Sequence, residues 1–372
     1  MDPDSPSART RLRGVNLGGW LVLEKWMKPS LFAGLAARDE TSWCVELGRE
    51  APARLQAHWD GFITREDFAW IAEVGINALR IPLGFWIFGP PYPYHRKYGD
   101  RLRPFVEGGI EVLDRALDWA TELGLRVMLD LHAAPGCQNG FDNGGMQDVC
   151  EWHTREEYLA HSVDVLGRLA ARYRACSSLH AIQVLNEPRW DIPTDLLKAY
   201  YARAYGAIRA HCPAEQVAVV FHDGFRSHRE YLGFFESPAF QNVIYDVHRY
   251  QCFERADLDM DIHGHVHKAG VTWRNEADEM QRELGLPAIA GEWSLGLDPN
   301  GFSLSADRPP DHPLAGMDAF QEQVAYRGYA AAQLLAFERY LGWFFWSYRT
   351  ETTPAWCFRE CVERGWLPPR FQ

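Results

Sequence analysis

Short runs of β-branched and apolar residues alternate along the chain with longer segments whose apolar positions recur at helical spacing, the pattern of a parallel sheet covered by helices. Eight runs predict strands, at residues 13–17, 78–83, 126–131, 181–185, 217–221, 243–247, 288–290 and 343–346. Helices are predicted at 64–74, where Thr64 is a capping residue ahead of Glu66 and Asp67, and at 109–123, 154–175, 195–211 and 317–340. Eight strand-helix repeats imply an α/β fold, a closed (β/α)8 TIM barrel. Its length of 372 residues fits one barrel domain spanning residues 1–372 with long βα loops. The phrases Glu73-Val74-Gly75-Ile76-Asn77 and Glu122-Leu123-Gly124-Leu125-Arg126 are near copies, each with Gly where a helix end calls for left-handed backbone. Long Gly- and Pro-rich loops, 84–108, 133–152 and 297–316, follow predicted strands, on the side where a barrel builds its site.

The hydrophobic pattern breaks at the predicted strand ends. Asn16, Arg80, Asp130, His132, Asn186, Glu187, His222, Asp223, His248, Tyr250, Glu292 and Trp346 all fall there, where packing alone would ask for Val or Ile. Two of them, Glu187 in Asn186-Glu187-Pro188 and Glu292 in Gly291-Glu292-Trp293, are carboxylates on what would be strands four and seven, projecting into one mouth. One protonated and one ionised carboxyl about 5 to 5.5 Å apart can cleave a glycosidic bond with retention. Each residue alone reads as a cap, an ion pair or an interior imidazole; their joint placement reads as a site. Arg80 beside Glu292 would hold that carboxylate ionised, leaving the less compensated Glu187 with its proton. Pro188 is expected to keep Glu187 extended and to end its strand.

Charge and composition narrow the substrate. With 47% hydrophobic residues the chain can bury a large core, and 50 acidic against 38 basic residues give a net charge of −12, which disfavours nucleic acid and anionic membrane surfaces. A neutral ligand fits better. No stretch of about 20 apolar residues is present, and residues 1–13 are not a basic segment followed by an apolar one, so a cytoplasmic protein is expected unless a leader has been trimmed. The eight cysteines include no Cys-x-x-Cys pair and are expected as free, buried thiols.

Two other classes compete. His263-Gly264-His265-Val266-His267 would place imidazoles on one face of a strand and suggest a metal hydrolase, but the run is expected in a polar loop, solvated, with no carboxylate partners. The 15 Trp and 15 Tyr could serve a sugar-binding protein without catalysis, a reading that the presence of both Glu187 and Glu292 opposes. Signatures of a nucleophilic serine elbow, a phosphate loop or a dinucleotide fold do not occur.

Several phrases together carry a family resemblance: residues 13–24 (Arg-Gly-Val-Asn-Leu-Gly-Gly-Trp-Leu-Val-Leu-Glu), Leu79-Arg80-Ile81-Pro82, Asp130-Leu131-His132, Gln138-Asn139-Gly140-Phe141-Asp142-Asn143, Asn186-Glu187-Pro188, His248-Arg249-Tyr250, Gly291-Glu292-Trp293-Ser294 and Gly342-Trp343-Phe344-Phe345-Trp346-Ser347. Over most of its length the chain resembles family 5 glycoside hydrolases, most closely their exo-β-1,3-glucanase branch. The resemblance implies a metal-free and cofactor-free double displacement, with Glu187 as acid/base and Glu292 as nucleophile. It implies that Arg80, His132, Asn186, His248, Tyr250 and Trp346 surround the sugar, that Glu24 binds its far hydroxyls, and that Phe141 and Phe253 flank the leaving group. The implied substrate is a small oligosaccharide or β-glycoside, with an exo-acting β-glucosidase or exo-β-1,3-glucanase-like activity. Glycosides of another aglycone, a disaccharide or a lipid are the alternatives. Arg249 stands where this branch often has His, and loop 84–108 adds Tyr92, Tyr94, His95 and Tyr98; both departures bear on the leaving group.

Overall fold

A computed structural model describes residues 11–93, 95, 105–298 and 309–371. Tyr94, Tyr98, the middle of the 297–316 loop and most of the first 13 residues therefore lie outside the described residues. Eight parallel strands close a barrel in sequence order. They are β1 (Leu12–Asn16), β2 (Ala78–Gly84), β3 (Arg126–Ala133), β4 (Leu179–Gln183), β5 (Ala218–His222), β6 (Val243–Arg249), β7 (Ala288–Trp293) and β8 (Gly342–Phe345), with β1 pairing β8 through Leu12↔Gly342 and Val15↔Phe345. Helices α1 (Glu40–Leu47), α2 (Ala51–Phe62), α3 (Arg65–Glu73), α4 (Gly109–Glu122), α5 (Glu156–Tyr173), α6 (Thr194–Arg209), α7 (Arg255–Leu258), α8 (Ile262–His267), α9 (Arg274–Leu284), α10 (Ala319–Phe337) and α11 (Phe358–Glu363) surround it.

The period of two along each strand divides the buried residues into two sets. Leu79, Ile81, Leu129, Val219 and Ala290 face outward into the core shared with the helices, whereas Leu12, Ala78, Met128, Ala181, Ala218, Val220, Ile244, Ile289 and Phe344 fill the lumen. Phe344 needs the space left by Gly14, where a Cβ would lie 2.2 Å from its ring. Two residues further along, the same inward positions become Arg80, Asp130, Gln183, His222 and Asp246, all buried. The barrel thus has an apolar floor and a polar storey above it. Gly75 and Gly124 take positive φ of +88° and +69°, as their place after α3 and α4 predicts, and Asp67 reaches back to the Thr64 N–H at 2.9 Å.

Three expectations are corrected. Val184, Leu185, Leu17 and Trp346 lie just past strand ends, because lateral pairing stops earlier while single backbone bonds such as Asn186 N–H to Leu131 O (2.9 Å) continue. Helices α1 and α2 fill the stretch between β1 and α3, and went unforeseen because α1 holds Thr, Ser, Trp, Cys and Val, poor helix formers. Its start depends on Asp39 and Ser42 capping one another. The His263–His267 run is helix α8, not a polar loop. On a helix alternate residues diverge, so His265 is buried against Gln251 while His263 and His267 are exposed. The eight cysteines are free thiols, Cys150 and Cys176 half-buried and the others buried. No described helix is long and apolar enough to cross a membrane.

Candidate active site

The polar storey is built around Arg80, whose side chain is fully buried on β2. A guanidinium offers five N–H donors in a fixed plane, and here five oxygens surround it. Nε donates to Gln183 Oε1 (2.7 Å), Nη1 to Asn16 Oδ1 (2.9 Å) and Glu292 Oε1 (2.7 Å), and Nη2 to Asn186 Oδ1 (2.7 Å), while Asp130 Oδ2 is ion-paired with Nη2 at 3.0 Å. Burial alone would lower its pKa, but Asp130, Glu292 and Asp246 outweigh that and raise it, so the cation is permanent. Asp130 also holds His132 Nδ1 at 2.6 Å, and the imidazole lies flat against Trp346, ring centroids 5.3 Å apart and planes within 5°. Trp346 in turn needs Gly18, whose Cβ would meet it at 2.8 Å.

His248 ties the two carboxylates together. Its Nδ1 is 2.7 Å from Glu187 Oε1 and 3.4 Å from Glu292 Oε2. Glu187 Oε1 and Glu292 Oε2 are therefore at most about 6 Å apart, which accommodates the roughly 5 to 5.5 Å carboxyl separation of retaining hydrolases. Nε2 faces Asp246 Oδ2 at 3.2 Å. With a carboxylate oxygen at each nitrogen, Nε2–H serves Asp246 and a second proton must lie on the line between Nδ1 and Glu187. Burial opposes charge on His248, but Glu292 and Asp246 prevail and hold its pKa well above the ordinary imidazole range.

The charge assignment expected from Arg80 needs correction. The Arg80–Glu292 contact is present, yet burial is the largest influence on Glu292 and leaves its pKa raised despite the pull of His248 and Arg80. Burial also pushes Glu187 up, but the short bond to His248, its charge, and the charges of His132 and Arg80 bring it below the ordinary carboxylate value. Arg80 is shared among three carboxylates, whereas His248 sits directly on Glu187. The His248–Glu187 contact at 2.7 Å is therefore the place where a proton can be held for the leaving group. Glu187 is also not extended before Pro188: its φ is +42°, in the left-handed region, a strained setting of the kind that collects at functional positions.

The remaining predicted residues surround this centre. Tyr250 donates its hydroxyl to Glu292 Oε2 at 2.8 Å, and burial beside Glu292 and Glu187 keeps that hydroxyl protonated, its pKa well above the ordinary phenol value. Glu24 is buried, accepts from the Trp26 indole at 2.9 Å through Oε2, and leaves Oε1 without a partner among the described side chains. Burial, then Asp142, raises its pKa well above the usual range, and burial brings Asp142 to about 6. Phe141 and Phe253 are 40% and 60% exposed, and Phe253 packs edge-on against Tyr250 (5.5 Å). Arg249 turns away from the centre, paired with Glu276 at 3.2 Å.

Sequence reasoning missed the supports. Gln183 donates to Asp246 Oδ2 (2.6 Å), Asp246 accepts the Gly291 N–H (2.7 Å), Asn143 Nδ2 lies 3.4 Å from Glu187 Oε2, and Trp26, Trp356 and Tyr250 form an aromatic wall. The signal for Gln183 and Asp246 was in the sequence, a polar residue amid apolar strand neighbours. One prediction arises here. A Cβ on Gly291 would lie 2.2 Å from Asp246 Oδ1, so Gly291→Ala should cost about 1–3 kcal/mol by denaturant unfolding and lower kcat by displacing His248. Gly328→Ala, with open space around it in α10, should be neutral or stabilising by up to about 1 kcal/mol.

Two opposed carboxylates within reach of one another, a permanent cation on one and a proton-bearing imidazole on the other, are the equipment of acid-assisted displacement. The model of the family described as Cellulase (glycosyl hydrolase family 5) matches residues 48–351. The chain belongs to glycosyl hydrolase family 5. It is a glycosidase, hydrolysing O-glycosyl bonds with retention through a covalent glycosyl-enzyme, as this family does. It is 35% identical to the glucan 1,3-beta-glucosidase of Blumeria graminis, across 96% of this chain and 87% of that protein. It is 36% identical to the probable glucan 1,3-beta-glucosidase A of Emericella nidulans, across 96% of this chain and 90% of that one. Among solved structures, a rutinosidase from Aspergillus niger superposes with a TM-score of 0.77 at 19% identity, covering 96% of this chain and 97% of that chain. The Cel5A endoglucanase of Thermotoga maritima does so with a TM-score of 0.58 at 16% identity, covering 95% and 96%. At these identities the likeness to solved structures is one of fold.

Proposed function

We propose that this family 5 hydrolase is an exo-acting β-glucosidase of the glucan 1,3-beta-glucosidase kind, with Glu292 as nucleophile and Glu187 as general acid/base. The observation that carries the reading is the His248 bridge, whose Nδ1 lies 2.7 Å from Glu187 Oε1 and can pass it a proton, while Arg80 and Tyr250 hold both oxygens of Glu292 by short bonds. Glu187 gives its proton to the leaving oxygen as a Glu292 oxygen attacks the anomeric carbon. Tyr250 and Arg80 orient the attacking carboxylate, and Asn186, fixed by Arg80, is placed to bond the sugar 2-hydroxyl. His132 and Trp346 form a flat floor for the ring.

Exo action is supported by Glu24, buried, and Asp142, half-buried, two carboxyl groups close enough to the site to feel the charges of Glu292 and Glu187 (Glu24) and of His132 (Asp142). A free acceptor oxygen on Glu24 suits the far hydroxyls of a terminal sugar, and the pair would close the pocket behind it. The names of the relatives and the exposed Phe141 and Phe253 favour a glucan as the leaving group.

The test is product analysis by NMR on β-1,3-, β-1,4- and β-1,6-linked glucose oligomers, aryl β-glucosides and a rhamnosyl-glucoside. Release of β-glucose from the non-reducing end of the β-1,3 series is expected. Release of an intact disaccharide, or of internal fragments, would overturn the exo-glucosidase reading while leaving the family standing.

A further inference from the structure

His222, the last residue of β5, is buried beside the carboxyl groups without a place in the steps above. Its ring meets that of His248 edge-on with centroids 4.3 Å apart, and one of its nitrogens lies within 4.8 Å of both a Glu187 oxygen and a His248 nitrogen. Its tautomer follows from the backbone. Nδ1 accepts the Gly224 N–H at 2.9 Å, so the ring hydrogen must be on Nε2, and Nε2 has no partner among the described side chains. A metal at Glu187, His222 and His248 would either take the Nδ1 lone pair or, bound at Nε2, force the ring hydrogen onto Nδ1, and both displace that backbone bond, which argues for a donor and not a ligand. Burial, then the charges of His248, Arg80, Arg226 and His132, keeps the ring neutral, and Asp223 Oδ1 stands 3.5 Å from Nδ1.

An idle N–H donor matters because Glu187 loses its partner during turnover. When Glu187 and His248 have released the shared proton to the leaving group, Nε2–H of His248 still serves Asp246, and the Nδ1 lone pair then faces the Glu187 carboxylate. In the same step Glu292 becomes an uncharged ester, and its charge is the largest influence favouring protonated His248. Of the donors nearby, Asn143 Nδ2 is already 3.4 Å from Oε2.

We propose that His222 is a positioning residue for the second half of the reaction: its neutral Nε2–H takes over the Glu187 carboxylate, directly or through one water, once the glycosyl-enzyme has formed. Held there, Glu187 removes a proton from the incoming water as the water oxygen bonds to the anomeric carbon. The bond from that carbon to Glu292 breaks, and its electron pair returns to the Glu292 carboxylate. The inference rests on the assignment of Glu187 and Glu292 above.

The test separates the two half-reactions with 2,4-dinitrophenyl β-glucoside, whose leaving group needs no acid. His222→Asn keeps an acceptor for the Gly224 N–H and removes the Nε2 donor; His222→Gln restores an N–H near the Nε2 position. Expected for His222→Asn is a kcat lower by about ten- to a hundredfold, as for a lost hydrogen bond to a charged group, with kcat/KM within about twofold and a larger burst of dinitrophenol. The acidic limb of kcat should move to higher pH, since a carboxylate with one donor fewer protonates more readily, and His222→Gln should recover most of the rate. Equal losses in kcat and kcat/KM, or an unmoved kcat and acidic limb, would overturn the proposal. If the Asn variant does not fold, the wild-type enzyme trapped by a 2-fluoro-glucoside decides. A crystal structure with His222 Nε2 bonded to Glu187 or to a shared water supports the proposal, and one with Glu187 still on His248 alone overturns it. Loss of activity in Glu187→Ala and Glu292→Ala beside a wild-type-like His222→Asn would sink this inference and spare the catalytic assignment.

Discussion

Replacing Glu292 with Ala is expected to lower kcat by on the order of 10⁴-fold or more, the scale of losing a nucleophile held by a built site. The variant should keep its fold, since Tyr250 and Arg80 lose one acceptor each while Arg80 retains its other four. Azide added to Glu292→Ala should restore turnover of activated glucosides and yield the α-glucosyl azide, because the small anion enters on the face the carboxylate vacated. Glu187→Ala should behave differently in a way that tells the roles apart. Its loss should be about 10²- to 10⁴-fold for poor leaving groups, which need a proton, and much smaller in kcat/KM for dinitrophenyl glucoside, which does not. Azide there should give the β-glucosyl azide by attack on the glycosyl-enzyme. Wild-type-like rates in either variant, or interchanged azide products, would reverse the assignment.

What made these residues legible was the contrast between strand and strand end. Alternation with period two predicts which face of β2, β3 and β6 points into the lumen, so Arg80, Asp130 and His248 could be placed at one mouth before any coordinates. Glu187 and Glu292 stood out because nothing in an apolar strand calls for them. The supports were harder. Gln183 and Asp246 are one polar residue each within apolar runs, and only the barrel's closure brings them together at 2.6 Å. Trp26 and Trp356 are 330 residues apart in the chain and meet at 5.4 Å through loops whose course no local pattern encodes. The sign of the Glu187 and Glu292 shifts was beyond sequence for a related reason. It depends on His248 sitting on Glu187 at 2.7 Å and on how many carboxylates divide the charge of Arg80, and both are distances. The backbone at Glu187 escaped as well, since a Pro at the next position sets a preference that the surrounding structure overrides.

The same network makes Arg80 the position where catalysis and stability fail together. Arg80→Met keeps much of the buried volume but removes the only guanidinium bonded to Glu292 among the described residues, stranding the acceptor oxygens of Asp130, Glu292, Asn186, Gln183 and Asn16. Breaking a buried pair from one side typically costs about 3–5 kcal/mol, and a loss of that size is expected in urea unfolding at neutral pH. Its pH dependence has a definite sign. Without the cation, burial and the charge of Glu187 raise the folded-state pKa of Glu292 further above its unfolded value. A group shifted that way favours the fold when protonated and loses that contribution as pH rises through its folded pKa. The deficit of Arg80→Met against wild type should therefore be greatest at neutral pH and narrow as the pH falls towards the carboxylate range. Activity should move with it: Glu292 must be ionised to attack, so the acidic limb of kcat/KM should shift to higher pH. Arg80→Lys distinguishes charge from geometry. An ammonium restores part of the stability, but it cannot span five acceptors in one plane, so kcat should stay low while the unfolding midpoint recovers. Recovery of both by Lys would mean that the charge alone, and not the fork that aligns Asn186 with Glu292, is what the reaction needs.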